Sequence, residues 1–122
     1  MFIVINGNNL GTNYTATGLT TGNTYVFKVQ ARNSYGLSLY SNQVTILIAT
    51  TPSKPFTPMT SVSADQAVIT WVAPSANGSP ITSYSIYVKT KTGTYSQDLT
   101  NCDGSAATIV RDTVCRIPLL TL

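Results

Sequence analysis

Hydrophobic and polar residues alternate along this chain in short runs separated by turn-forming residues. The clearest run is Tyr25-Val26-Phe27-Lys28-Val29-Gln30-Ala31. Strand side chains alternate faces with period two, so Tyr25, Phe27, Val29 and Ala31 share one face while Lys28, Gln30 and Arg32 share the other. A corner over residues 19–25, with Gly22 at its tight position, precedes this strand, and Asn33-Ser34-Tyr35-Gly36 turns the chain after it. Upstream, the β-branched run Phe2-Ile3-Val4-Ile5 leads into Asn6-Gly7, a hairpin signal because both residues tolerate positive φ. Residues 12–19 read as a polar, Thr-rich strand. Residues 38–48 read as another, ending in the apolar Val44-Thr45-Ile46-Leu47-Ile48.

Composition then shifts. Thr50-Thr51-Pro52-Ser53-Lys54-Pro55 holds two prolines and no large apolar side chain. Proline fixes φ and removes a ladder donor, so an extended linker over residues 51–57 is predicted to separate two domains. Beyond it, residues 58–62 predict a short edge strand. Residues 66–72 alternate again, with Ala67, Ile69 and Trp71 on one face. Residues 81–90 predict a strand with Tyr84, Ile86 and Val88 inward, closed by a Thr92-Gly93 turn. Residues 95–99 and 108–115 read as the arms of a hairpin connected through Asp103-Gly104, and residues 116–122 as the start of a further strand. Helical periodicity is not sustained over ten residues anywhere, and short strands punctuated by Gly, Asn and Pro predict an all-β sandwich.

Two motifs carry a family resemblance. Leu19-Thr20-Thr21-Gly22-Asn23-Thr24-Tyr25 resembles the Leu-x-Pro-Gly-x-x-Tyr corner of fibronectin type III domains, followed as in that family by Phe27, Val29, Ala31, Asn33, Gly36, Ser38 and Ser41. The departure is Thr21, where the family usually has proline. In the second half, Pro55 and Pro58 precede Ile69-Thr70-Trp71, Pro74 and Pro80-Ile81-Thr82-Ser83-Tyr84, which resemble the family's opening strands. The resemblance implies a fibronectin type III-like antiparallel β-sandwich with Leu19, Tyr25, Phe27, Val29, Ile69, Trp71, Tyr84 and Ile86 in its core. The order is split across two partial repeats. Residues 1–50 correspond to the C-terminal half of one repeat (strands C′/E-F-G), and residues 58–122 to the N-terminal part of the next (A-B-C-C′-E). Each half alone exposes an apolar face and unpaired edges. The chain is therefore expected either to be a window on a longer tandem array or to complete a neighbouring copy head-to-tail. Both imply a rod or fibre, with other copies or adjacent repeats as partners.

Composition narrows the classes further. Charged residues make up 9% of the 122 residues, against about 25% in ordinary soluble domains. Ser, Thr and Asn supply the polarity, as on extracellular β-rich surfaces. The net charge of +3 rests on seven scattered Lys and Arg residues, which form no cationic groove for nucleic acid. No apolar run is long enough to span a membrane. Met1-Phe2-Ile3-Val4-Ile5 lacks the basic flank and cleavage site of a signal peptide, and Met1 is expected to be either a true start or, the favoured reading, a point within a longer chain.

The chemistry on offer is sparse. The chain has no histidine, and its only acids are Asp65, Asp98, Asp103 and Asp112. Ser-His and Cys-His catalysis is therefore excluded, and neither an enzyme nor a cofactor is expected. Asp103 and Asp112, if brought together across the expected hairpin, fall short of a calcium shell. Two thiols without histidine do not make a zinc site. Cys102 and Cys115 are read as a disulfide stapling their loop, worth about 3 kcal/mol in an oxidising compartment; the alternative is two unrelated buried thiols. Asn13-Tyr14-Thr15 and Asn77-Gly78-Ser79 are N-glycosylation sequons. The Thr-rich surface also suits O-linked sugar. Pro80 disfavours Asn77 as an acceptor. Tyr35, Tyr40, Tyr87 and Tyr95 are candidates for an exposed aromatic platform. The function expected is structural, a repeat of an extracellular or surface fibre or adhesive stalk. The rival is a ligand-recognition module of a receptor ectodomain or of a secreted carbohydrate-active enzyme.

Overall fold

Antiparallel strand pairs dominate residues 10–122, the part of this computed structural model that is described. The hairpin expected over residues 2–7 lies outside the described residues. The chain divides into two compact units, Met1–Thr50 with Asn77–Ser79, and Thr51–Ala76 with Pro80–Leu122. All-β is the class of both.

The first unit is built on one long hairpin. Strand β1 (Thr24–Phe27) pairs with β4 (Val44–Leu47), placing Tyr25 opposite Ile46 and Phe27 opposite Val44. At the tip, β2 (Arg32–Asn33) pairs with β3 (Gly36–Leu37). Between these ladders residues 28–31 face residues 38–43, so the returning arm carries two extra residues. The surplus shortens both predicted strands, leaving residues 28–31 and 38–43 outside any ladder, because a backbone that bulges cannot stay in ladder register. Two serines fill the gap. The Val29 amide donates to Ser41 Oγ and the Ala31 amide to Ser38 Oγ, each at 2.9 Å. The Ser41 and Ser38 amides return bonds of 2.8 Å to the carbonyls of Val29 and Ala31.

Before β1, the Asn23 amide donates to the Thr20 carbonyl at 3.2 Å, with Gly22 at φ +89°. A turn with positive φ at its third residue is a type II turn, which is why glycine stands there. Residues 12–19 form no strand, correcting the expectation from their threonine content. Threonine content is a weak guide to strand, because β-propensity mostly reports packing against neighbouring strands.

In the second unit β5 (Met59–Ser63), β6 (Gln66–Thr70) and β9 (Val114–Pro118) form an antiparallel sheet in the order β5-β6-β9. Strands β7 (Val88–Lys89) and β8 (Tyr95–Ser96) form a small hairpin, turned at Gly93. Two expectations are corrected here. Residues 108–115 do not pair with 95–99: Ala107–Asp112 is a short helix, α1, ending at Thr113 in the left-handed region, and β9 pairs with β6 instead. Six helical residues are too few to register as a period, and the pairing of β9 is a long-range choice. Residues 116–122 do not begin a new strand; β9 ends at Pro118 and a 3-10 turn, Leu119–Thr121, follows.

Candidate functional site

The second unit buries a small core of Trp71, Cys102, Cys115 and Ile117, with Ile69, Tyr84, Ile86, Val88, Ile109 and Leu122 packed against it. Alternation over residues 81–90 puts Tyr84, Ile86 and Val88 inward as expected, although only Val88 and Lys89 of that stretch belong to a ladder. The Trp71 and Tyr84 rings meet edge to face, with centroids 5.2 Å apart. That geometry places the positive rim of one ring on the negative face of the other. Cys102 and Cys115 are joined by a disulfide. The bond ties the loop before α1 to the central rows of the sheet. Gly104, buried in that loop, has no room for a side chain: an added Cβ would collide with the Tyr84 carbonyl. The Gly104 carbonyl in turn accepts from the Tyr84 amide at 2.9 Å. Composition alone does not reveal this close approach, since Asp103-Gly104 reads as an ordinary turn.

This cluster lies on one face of the sheet, while Val68, also buried, is on the other. Residues directly opposite one another in a ladder share a face. Ile117, Ala67 and Val62 form one such row, and burial falls along it from complete at Ile117 to 70% exposed at Val62. Cys115, Ile69 and Thr60 form a second row with the same gradient, from buried through half-buried to exposed. The face is closed at β9 and open at β5.

The first unit has a matching deficit. Tyr25 is buried, and its hydroxyl oxygen accepts from the Thr20 amide at 3.1 Å, which holds its pKa below the ordinary tyrosine value. Leu19 and Phe27 are half-buried. Val29, expected in the core, is 71% exposed, and Val44 and Ile46 on the same face are also exposed. Val29 shares its face with Val44 and Ile46, and among the described residues of the unit none packs over it closely enough to bury it.

Three of the four aspartates are engaged by neighbours close in sequence. Asp98 accepts from the Thr100 and Asn101 amides and the Asn101 side chain, and the Asn101 bonds keep its carboxyl below the usual range. Asp103 is held low in the same way by the Ser105 hydroxyl and amide. Asp112 is held low by a two-pronged contact with Arg111, at 2.8 and 3.0 Å. Asp103 and Asp112 thus have separate local partners. No cluster of three or more metal-ligating side chains occurs among the described residues. A shallow depression of about 430 Å³, bordered by Val88, Thr90, Gln97, Asp98 and Leu122, holds one ionisable side chain, the already engaged Asp98. Among the described residues, no helix is long and apolar enough to cross a membrane.

The sequon asparagines differ. Asn13 is exposed and lies outside the strands. Asn77 is half-buried at φ +48°, and its carbonyl accepts from the Thr50 amide at 3.0 Å. Tyr35 is fully open at the hairpin tip, Tyr87 and Tyr95 are exposed, and the ring of exposed Tyr40 lies 3.8 Å beneath the Lys28 ammonium.

No family model matches the chain. A Kelch domain-containing protein of Saccharolobus solfataricus is 33% identical over 91 residues, which is 74% of this chain and 13% of that protein. The chain therefore spans about an eighth of the length of that relative.

Proposed function

We propose that this chain is structural material from an extracellular or cell-surface protein, built of fibronectin type III-like sandwich repeats and spanning the end of one repeat and the start of the next. The observation that carries this is the pair of burial gradients running from closed at β9 to open at β5. A sheet in the order β5-β6-β9, half covered by Tyr84, Ile86 and Val88, is what strands A, B and E would be with C and C′ over one side only. The long hairpin of β1 to β4, with its buried corner tyrosine, is what strands F and G would supply to cover the other side. The disulfide supports an oxidising compartment. Asn13 is the sequon favoured for glycan by its exposure.

The similarity to a Kelch domain-containing protein favours a different use of the β class, since a kelch blade is a four-stranded sheet set round a channel. The sheets of the described residues have two, two, three and two strands, so a propeller blade is not the architecture they favour. A ligand-recognition module is the rival function, and exposed Tyr35, Tyr87 and Tyr95 are what favour it.

Surface proteolysis of intact source cells, followed by non-reducing peptide mass spectrometry, tests the proposal. Released peptides linked through Cys102 and Cys115 are expected. Recovery only from the cell interior, with both thiols free, would sink it.

A further inference from the structure

The outer face of the β7–β8 hairpin carries an aromatic surface that the sandwich reading leaves unused. Ile86 and Val88 pack on the core of the second unit. Successive side chains of an extended stretch alternate faces, so Tyr87 and Lys89 point the other way. Tyr95 stands opposite Lys89 in the ladder and shares its face. Tyr87 is 60% exposed and Tyr95 67%. Closing a sandwich over the inner side would leave this face bare. The Lys89 ammonium lies 6.0 Å from the centre of the Tyr95 ring, at the outer limit of about 6 Å for a cation–π contact. The Tyr95 ring face therefore stays open. Tyr40 is the contrast, with the Lys28 ammonium 3.8 Å from its ring centre.

Polar groups of one character adjoin the rings. At the turn of the hairpin the Thr90 and Thr92 hydroxyls are 2.8 Å apart, and each lies 3.2 Å from the Thr94 hydroxyl. A hydroxyl both donates and accepts, so the cluster can rearrange to suit another polyol. Between Asp65 and Asp98 the only charged residues are Lys89 and Lys91, both exposed. Asp98, which follows the hairpin, is bonded to Thr100 and Asn101.

We infer that the outer face of this hairpin binds an acidic polysaccharide. The faintly positive C–H face of a pyranose ring stacks on the negative face of Tyr87 or Tyr95. Two rigid rings supply that contact area at low entropic cost, beside adaptable hydroxyls. Lys89 and Lys91 meet the carboxylate or sulfate of the sugar, and their unopposed charge is what selects an acidic glycan over a neutral one. An oligonucleotide would call for a cationic groove tracking its backbone, and two lysines do not make one. The site goes beyond the structural role proposed above and does not depend on it.

Surface plasmon resonance tests this, with the full chain passed over immobilised polygalacturonate, dextran sulfate, neutral dextran and oligothymidylate. Binding to one or both acidic polysaccharides is expected, and none to dextran. Polygalacturonate alone would identify the carboxylate as the recognised group, and dextran sulfate alone the sulfate. Tyr87→Ala with Tyr95→Ala is expected to weaken binding about tenfold, and Tyr95→Ala by itself about threefold. Phenylalanine at both positions should keep binding, because the ring face makes the contact. Lys89→Gln with Lys91→Gln should weaken binding and flatten its salt dependence. Tyr40→Ala should change nothing. Protection of the β6 and β9 amides from exchange checks that each variant is folded, and the single Tyr95 change carries the test if the pair disturbs the hairpin. Failure to bind either acidic polysaccharide would overturn the inference, as would equal binding to dextran or to oligothymidylate. Undiminished binding by the folded alanine variants would also overturn it, since that would be adsorption by charge alone.

Discussion

Thr21 occupies the second position of the type II turn that seats Tyr25, the position where φ near −60° is required and proline is favoured. Threonine reaches that angle but is not confined to it in the unfolded chain. Thr21→Pro is therefore expected to stabilise the first unit by about 0.4–1 kcal/mol, by restricting the unfolded state. A urea titration should show a raised midpoint with an unchanged slope. The three engaged aspartates set a pH dependence. Asp98, Asp103 and Asp112 are all held below the usual carboxylate range by their hydrogen bonds. For such groups the folded state binds fewer protons than the unfolded state, so their contribution is full above the ordinary carboxylate pKa. It is lost as pH falls through the depressed values. The urea midpoint should be flat from about pH 5 to 7 and fall below about pH 4. Asp98→Asn should shrink that fall.

At the scale of elements, the hairpin of the first unit depends on two hydroxyls standing in for ladder bonds. Ser38 and Ser41 each accept from an amide that the bulged arm leaves without a carbonyl. Ser38→Ala with Ser41→Ala should cost about 0.5–1.5 kcal/mol per lost bond. Amide exchange should accelerate most at Val29 and Ala31, and much less at β1 and β4. The sequence shows both serines at their places in the family motif. Their role becomes clear only when four residues are seen facing six. Gly104 is the comparable case in the second unit. It reads as a turn residue, and its constraint is steric, imposed by the Tyr84 carbonyl from twenty residues earlier.

At the scale of the molecule, the disulfide supplies two of the four residues buried together in the second unit's core. Reduction should therefore remove about 3 kcal/mol from that unit. Exchange protection should fall in β5, β6 and β9 on adding reductant, while the β1–β4 ladder keeps its protection because no cysteine lies in its unit. Equal loss in both units would show that they unfold as one. The sequence by itself determined the β class, the faces of β1 and β6, and the turns at Gly22, Ser34-Tyr35 and Gly93. These follow from period-two alternation and from residues that tolerate or demand particular φ values, which are local properties. It also marked Tyr25, Trp71 and Tyr84 as inward-facing. Tertiary structure alone decided that β9 pairs with β6, that residues 107–112 coil into a helix, and that Val29 and Val62 remain uncovered. Alternation tells a side chain which face it is on. Whether anything lies against that face depends on strands far away in the chain or on another molecule.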